Sequence, residues 1–208
     1  MSVRYYKTNN KKARLATAYV VRVAFMAAML TAFKFALSFV PNVEIVTLMI
    51  CVYGSAMGLG YALPATLVFC AVEVAIYGAG SWVLLYFVYW PLLAVVTSFM
   101  LRGKRVWLAV IIGIVGSALF GVLSASCDTL FCVASLAPNR LGDYWIAYYI
   151  RGLYFDIIHI ISNAVILATL YAPLIAITRR VVPDVYGRSV VRGNMRKFIF
   201  LEYTHFVG

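Results

Sequence analysis

Residues 82–101 and 106–126 contain no charged side chain, and the runs at 15–40, 61–77 and 144–177 contain very few. About 20 apolar residues is the length that crosses a hydrocarbon core ~30 Å thick. Lipid offers no hydrogen bonds, so a spanning segment must close its own backbone bonds as a helix or within a closed barrel. Unbroken apolar runs of this length specify helices. Only 12% of the residues are charged and the mean hydropathy is +0.93, whereas a soluble domain averages about 25% charged residues. The sequence therefore predicts an all-α membrane protein with nearly the whole chain used for spans.

Six spans fit the length of 208 residues. The first covers 15–40 and ends at Pro41. A short second segment, 45–59, carries Gly54 and Gly58; the third is 61–77, and 78–81 is a glycine turn. The fourth is 82–101 with Pro91 inside it, and the fifth is 106–126. A loop is expected at 127–143 and a sixth span at 144–177. At 1.5 Å per residue the last would be roughly 50 Å long, so it must project from the bilayer or break near Gly152. The expected domains are a basic tail 1–14, a six-helix membrane domain 15–177 and a basic tail 178–208. The apolar run after Arg14 is too long for a signal-peptide core.

Fourteen of the 18 Lys and Arg residues lie in the two tails and the loop after Leu101. The other side offers Glu44, Asp128 and Asp143 against Arg140 alone. The positive-inside rule then places both termini in the cytoplasm. The net charge of +11 follows from topology, and no nucleic-acid partner is needed to account for it. Cys51 and Cys70 read as small core residues. Cys127 and Cys132 flank a short stretch of the expected loop, as a disulfide or as two thiols. No zinc-ligand spacing is present.

One span is not plain. Arg151, Asp156, His159 and Asn163 interrupt the last apolar run. A charge at the centre of a membrane helix costs roughly 2.5–3.5 kcal/mol on insertion scales, so such groups face the protein interior, a cavity or a ligand. At about 100° per residue, Tyr148, Gly152, Phe155, Asp156, His159 and Asn163 share one face. Two uses fit: hydrogen bonds that only fix helix packing, or a ligand pocket. Arg151 could pair with Asp156, Glu73 or a ligand, or snorkel to the interface. Tyr86, Tyr89 and Trp90 lie at helical spacing in the fourth span, deeper than an interfacial belt requires, and suit a pocket wall for a flat ring. Ala24, Ala28 and Ala32 form a small-xxx-small face that admits another helix closely, within the bundle or on a partner. No phosphate-binding loop of the G-x-x-x-x-G-K-[ST] type and no H-E-x-x-H or G-x-S-x-G motif occurs.

The order of these pieces resembles the substrate-binding S component of energy-coupling factor (ECF) vitamin transporters. The resemblance rests on the alanine-spaced first helix, Leu-Ser-Phe-Val-Pro-Asn-Val-Glu-Ile-Val-Thr-Leu at 37–48 and Val-Glu-Val-Ala-Ile-Tyr-Gly at 72–78. It continues with Tyr-Phe-Val-Tyr-Trp-Pro-Leu at 86–92, Phe-Asp-Ile-Ile-His-Ile-Ile-Ser-Asn at 155–163 and Tyr-Ala-Pro-Leu at 171–174. It implies a non-catalytic subunit of the plasma membrane of a prokaryote. That subunit would bind a vitamin from outside, dock on a membrane coupling protein carrying two ATPases, and topple to release its cargo inside. The implied substrate positions are Asn42, Glu44, Tyr86, Tyr89, Trp90, Tyr148, Arg151, Phe155, Asp156, His159 and Asn163, with Ala24, Ala28 and Ala32 as the docking face. No metal and no catalytic cofactor are implied. Among the family's substrates, cobalamin is the leading expectation, and a vitamin B6 form or a queuosine precursor is the smaller alternative. The competing class is an intramembrane enzyme with Asp156 and His159 as acid and base.

Overall fold

A computed structural model describes residues 2–101, 105–132 and 138–182. Among them there is no strand. The helices are α1 (Ser2–Ala36), α2 (Val46–Met57), α3 (Leu59–Tyr77), α4 (Ser81–Met100), α5 (Val106–Cys132) and α6 (Leu141–Val181), with a 3-10 turn at Pro138–Arg140 before α6. Five of these are long and apolar enough to cross a membrane. Their outward surfaces carry Phe25, Trp107, Ile146, Ile157, Ile161 and Val165, all more than half exposed. Apolar groups on every side are tolerated only in contact with lipid. The fold is that of an all-helical, multi-pass membrane protein.

The remaining helix, α2, is different. All twelve residues of α2 are buried, and at 1.5 Å per residue it is only about 18 Å long. It is the core of the bundle, packed between α4, α6 and α3. One residue, Gly58, separates it from α3, with φ 81°. That left-handed conformation is open to glycine and strained for other residues. The chain reverses on it.

Pairs of contacts give the helix directions. Tyr19 donates to the Gly60 carbonyl near the start of α3, and Lys34 pairs with Glu73 near its end, so α1 and α3 run parallel. Thr97 lies 3.5 Å from the Ile50 carbonyl and Ser55 donates to that of Leu101, which makes α2 and α4 parallel. Asn163 bonds Ser117, and Tyr144 bonds Asp128, which sets α6 antiparallel to α5. The six helices alternate up and down, so α1 starts and α6 ends at one end of the bundle.

Lipid tails are as apolar as leucine, so close fit rather than water exclusion holds membrane helices together. Glycines on α5 supply that fit. A Cβ at Gly113 would collide with the Leu167 side chain, and one at Gly121 with the Asp156 carboxylate. Several hydroxyls within the spans are closed on their own helix: Thr66, Ser98, Ser126, Thr129, Thr169 and Thr178 each donate to the carbonyl four residues back. This removes the cost of an unpaired hydroxyl in an apolar setting.

Three expectations are corrected. The first helix begins at Ser2, inside the expected tail, and ends at Ala36, leaving 37–45 irregular. Helix α5 runs on to Cys132, so Cys127 and Cys132 lie on a helix instead of a loop; both are thiols, one buried and one exposed. Helix α6 is unbroken at Gly152 and spans 41 residues, about 60 Å at helical rise. The tail expected from 178 lies outside the described residues beyond position 182.

Candidate functional site

The segment between α1 and α2 folds inward and delivers Glu44 to the side of α6. Asn42 takes a left-handed backbone conformation, φ 57°, which asparagine tolerates better than most residues. Its carbonyl accepts a 3.2 Å bond from the Ser162 hydroxyl. Two residues later the Glu44 carboxylate becomes the centre of a network. Its Oε2 accepts the Thr47 backbone N–H at 2.8 Å, capping the start of α2. Its Oε1 lies 3.1 Å from Asn163 Nδ2 and 3.3 Å from His159 Nε2. Asn163 Nδ2 also reaches the Ser117 hydroxyl at 2.9 Å. One carboxylate therefore joins α2 and α6, and through Asn163 it joins α5.

Aromatic rings continue from this network along α4. His159 stands edge-on to Phe120 at 5.3 Å between centroids, Phe120 meets Tyr89 at 4.9 Å, and Tyr89 meets Trp90 at 4.7 Å. Trp90 packs on Tyr86, and Tyr86 on Trp82. Such edge-to-face contacts fix ring orientation. Beyond Tyr86 stands the ion pair Lys34–Glu73, with the Lys34 ammonium 4.7 Å from the Tyr77 ring centre and 5.1 Å from that of Tyr86.

Helix α6 shows two opposite faces. Asp156, His159, Asn163, Leu167, Tyr171 and Ile175 are buried, while Ile157, Ile161 and Val165 are exposed. Asp156 sits against the Gly121 backbone of α5. Of the positions expected from sequence, Glu44, Tyr86, Tyr89, Trp90, Asp156, His159 and Asn163 gather in this region. Asn42 joins through its backbone carbonyl. Tyr148 lies nearer the start of α6, beside Ser124 at 3.5 Å. Arg151 and Phe155 do not join: both are exposed, and Arg151 Nε donates to the Ala147 carbonyl on its own helix. Sequence reasoning missed Thr47, Ser117 and Phe120, which sit in unremarkable apolar or small-residue context. It also missed Lys34 as the partner of Glu73. A lone lysine near the end of α1 and a lone glutamate near the end of α3 carried that signal.

The network leaves several buried polar atoms unpartnered: His159 Nδ1, Asn163 Oδ1 and Trp90 Nε1. Each belongs to a residue no more than 3% exposed. Buried groups of this kind are ordinarily paired. Among the described residues no three His, Cys, Asp or Glu side chains are grouped to hold a metal ion. On α1 the faces divide sharply. Val23, Met26, Ala27 and Leu30 are buried, while Ala24, Ala28 and Ala32 are exposed. The alanine face takes no part in packing this bundle.

No protein-family model, curated protein or solved structure matches the chain.

Proposed function

We propose that the chain is the substrate-capturing subunit of an ECF-type importer, spanning the plasma membrane of a prokaryote six times with both termini in the cytoplasm. In this reading α2 and the inward-folded segment 37–45 together make the second crossing. The end of the bundle that holds Lys34, Glu44 and Asp156 faces outside, because Lys and Arg concentrate at the opposite end. The substrate enters from there and is held beside the Glu44 network. The observation that carries the proposal is the set of unpartnered buried atoms on His159, Asn163 and Trp90, next to a ladder of oriented rings. A helix-packing role would leave such groups satisfied by the protein itself. Each group left unpaired costs about 1–3 kcal/mol, and a ligand that pairs them recovers that energy.

Docking on a membrane coupling protein uses the exposed Ala24, Ala28 and Ala32 face, where small side chains allow close helix approach. ATP hydrolysis belongs to partner subunits, since this chain carries no phosphate-binding loop. The cargo is a vitamin or related micronutrient, either cobalamin or a smaller heteroaromatic ring. The test is the small molecule carried through purification. Mass spectrometry should find a micronutrient at near-stoichiometric amount, and cobalamin would colour the protein red. A preparation that retains no small molecule and binds none of the family's substrates overturns the proposal.

A further inference from the structure

Two groups on the buried face of α6 can only accept hydrogen bonds, and this narrows the ligand. A carboxylate can only accept hydrogen bonds, so the Glu44 contacts fix the orientation of both α6 partners. Asn163 must turn Nδ2 toward Glu44, which leaves Oδ1, an acceptor, without a partner. His159 turns Nε2 toward the same carboxylate, and its Nδ1 is left without a partner. One turn earlier on the same buried face lies the Asp156 carboxylate, to which no described residue donates a hydrogen bond. Beside them stand the unpartnered Trp90 indole N–H and the unpartnered hydroxyls of Tyr89 and Thr47, which can donate or accept.

Charge points the same way. Glu44 and Asp156 bring two carboxylates to the site. Among the described side chains the one lysine, Lys34, is engaged by Glu73, and Arg151 is exposed on the other face of α6. A second anion brought here would meet both carboxylates in a medium of low dielectric, where like charges repel strongly. A cation would meet two carboxylates.

From this we infer that the site takes a flat nitrogen heterocycle that is positively charged and presents N–H donors toward Asp156 and Asn163. Micronutrients whose recognition depends on a carboxylate or phosphate are excluded. The inference rests on the substrate-binding reading and goes further than it, since that reading allows ligands of any charge.

The test uses the full chain purified in detergent. Native mass spectrometry identifies what co-purifies, and calorimetry compares thiamine, whose thiazolium is cationic and whose aminopyrimidine carries N–H donors, with thiamine pyrophosphate, biotin, nicotinate and cyanocobalamin. The co-purified species should be a nitrogen-rich cation, or thiamine should bind at least tenfold tighter than each of the other four. Asp156→Asn should weaken binding of the preferred cation at least tenfold with the melting temperature of the ligand-free protein unchanged. A preferred ligand that is anionic, or is cobalamin, overturns the inference and leaves the substrate-binding reading standing. So does an Asp156→Asn variant with unaltered affinity. No co-purified species and no binding by any of the five, nor by a vitamin B6 form or a queuosine precursor, removes both.

Discussion

Glu44 and Asn163 lie 119 positions apart in the chain and are joined by a 3.1 Å hydrogen bond. The bond ties the segment leading into the central helix to the polar face of α6. Removing the carboxylate should strip Asn163 Nδ2 and His159 Nε2 of an acceptor while both stay buried. Each such loss costs about 1–3 kcal/mol. Glu44→Ala should therefore lower the melting temperature and weaken ligand binding together, and Glu44→Gln should do both to a smaller extent.

Gly121 on α5 is the floor on which Asp156 rests, since an added Cβ would collide with that carboxylate. Gly121→Ala should displace the Asp156 side chain and weaken ligand binding about tenfold or more. Overpacking costs typically about 1–3 kcal/mol, so some loss of melting temperature accompanies it. Gly142, where an added Cβ meets nothing within 4 Å, serves as the control and should tolerate alanine without either effect.

Ala28 is exposed on the face of α1 that the bundle does not use. Ala28→Trp should leave folding and ligand binding by the isolated subunit unaltered, within about threefold, and abolish uptake driven by ATP in the assembled transporter. Loss of binding in the isolated chain would assign this face to the bundle itself.

Orientation is open to labelling from outside the cell. Three of the native cysteines are buried and Cys132 is exposed, so a Cys132→Ser background leaves little reaction of its own. A cysteine at Asn139 should react with an impermeant maleimide, and one at Arg105 should not. The reverse pattern would place the Glu44 site on the cytoplasmic side.

How far the sequence revealed this arrangement depends on the range of the forces involved. The long spans were legible because apolar runs and glycine turns are local. So was the face bearing Asp156, His159 and Asn163, since helical spacing alone brings those residues into register. The extension of α5 was not. Cys127, Asp128 and Thr129 read as the start of a loop, yet Asp128 is held by the Ser81 hydroxyl at 2.5 Å and the Tyr144 hydroxyl at 2.7 Å. Those partners come from other helices, and they let a carboxylate sit near the end of an apolar one. Glu44 was legible as a candidate but not as the centre of the network. Its position depends on how segment 37–45 folds inward, which local propensity does not encode. Phe120 and Ser117 had no signal at all, because each is unexceptional within its own run and gains meaning only from what α4 and α6 place opposite it.

The pair Lys34–Glu73 gives the sharpest test of how α1 is attached. Helix α1 packs chiefly on α3, and this ion pair joins the two near their ends. The Glu73 side chain is 1% exposed and that of Lys34 27%. Removing one member of a buried pair leaves an uncompensated charge and typically costs about 3–5 kcal/mol, whereas replacing both by neutral groups of similar volume is often neutral or stabilising. Lys34→Met alone should lower the melting temperature sharply, and so should Glu73→Gln, which strands the ammonium between the Tyr77 and Tyr86 rings. The double variant should recover most of the loss. The interaction energy from the four proteins should be at least about 1 kcal/mol, as expected for groups in direct contact. Ligand affinity measured on the same set separates attachment from recognition. If the pair only fastens α1, the double variant binds as the parent does. If Lys34 orients Tyr86 for the ligand, affinity stays low in the double variant although stability has returned.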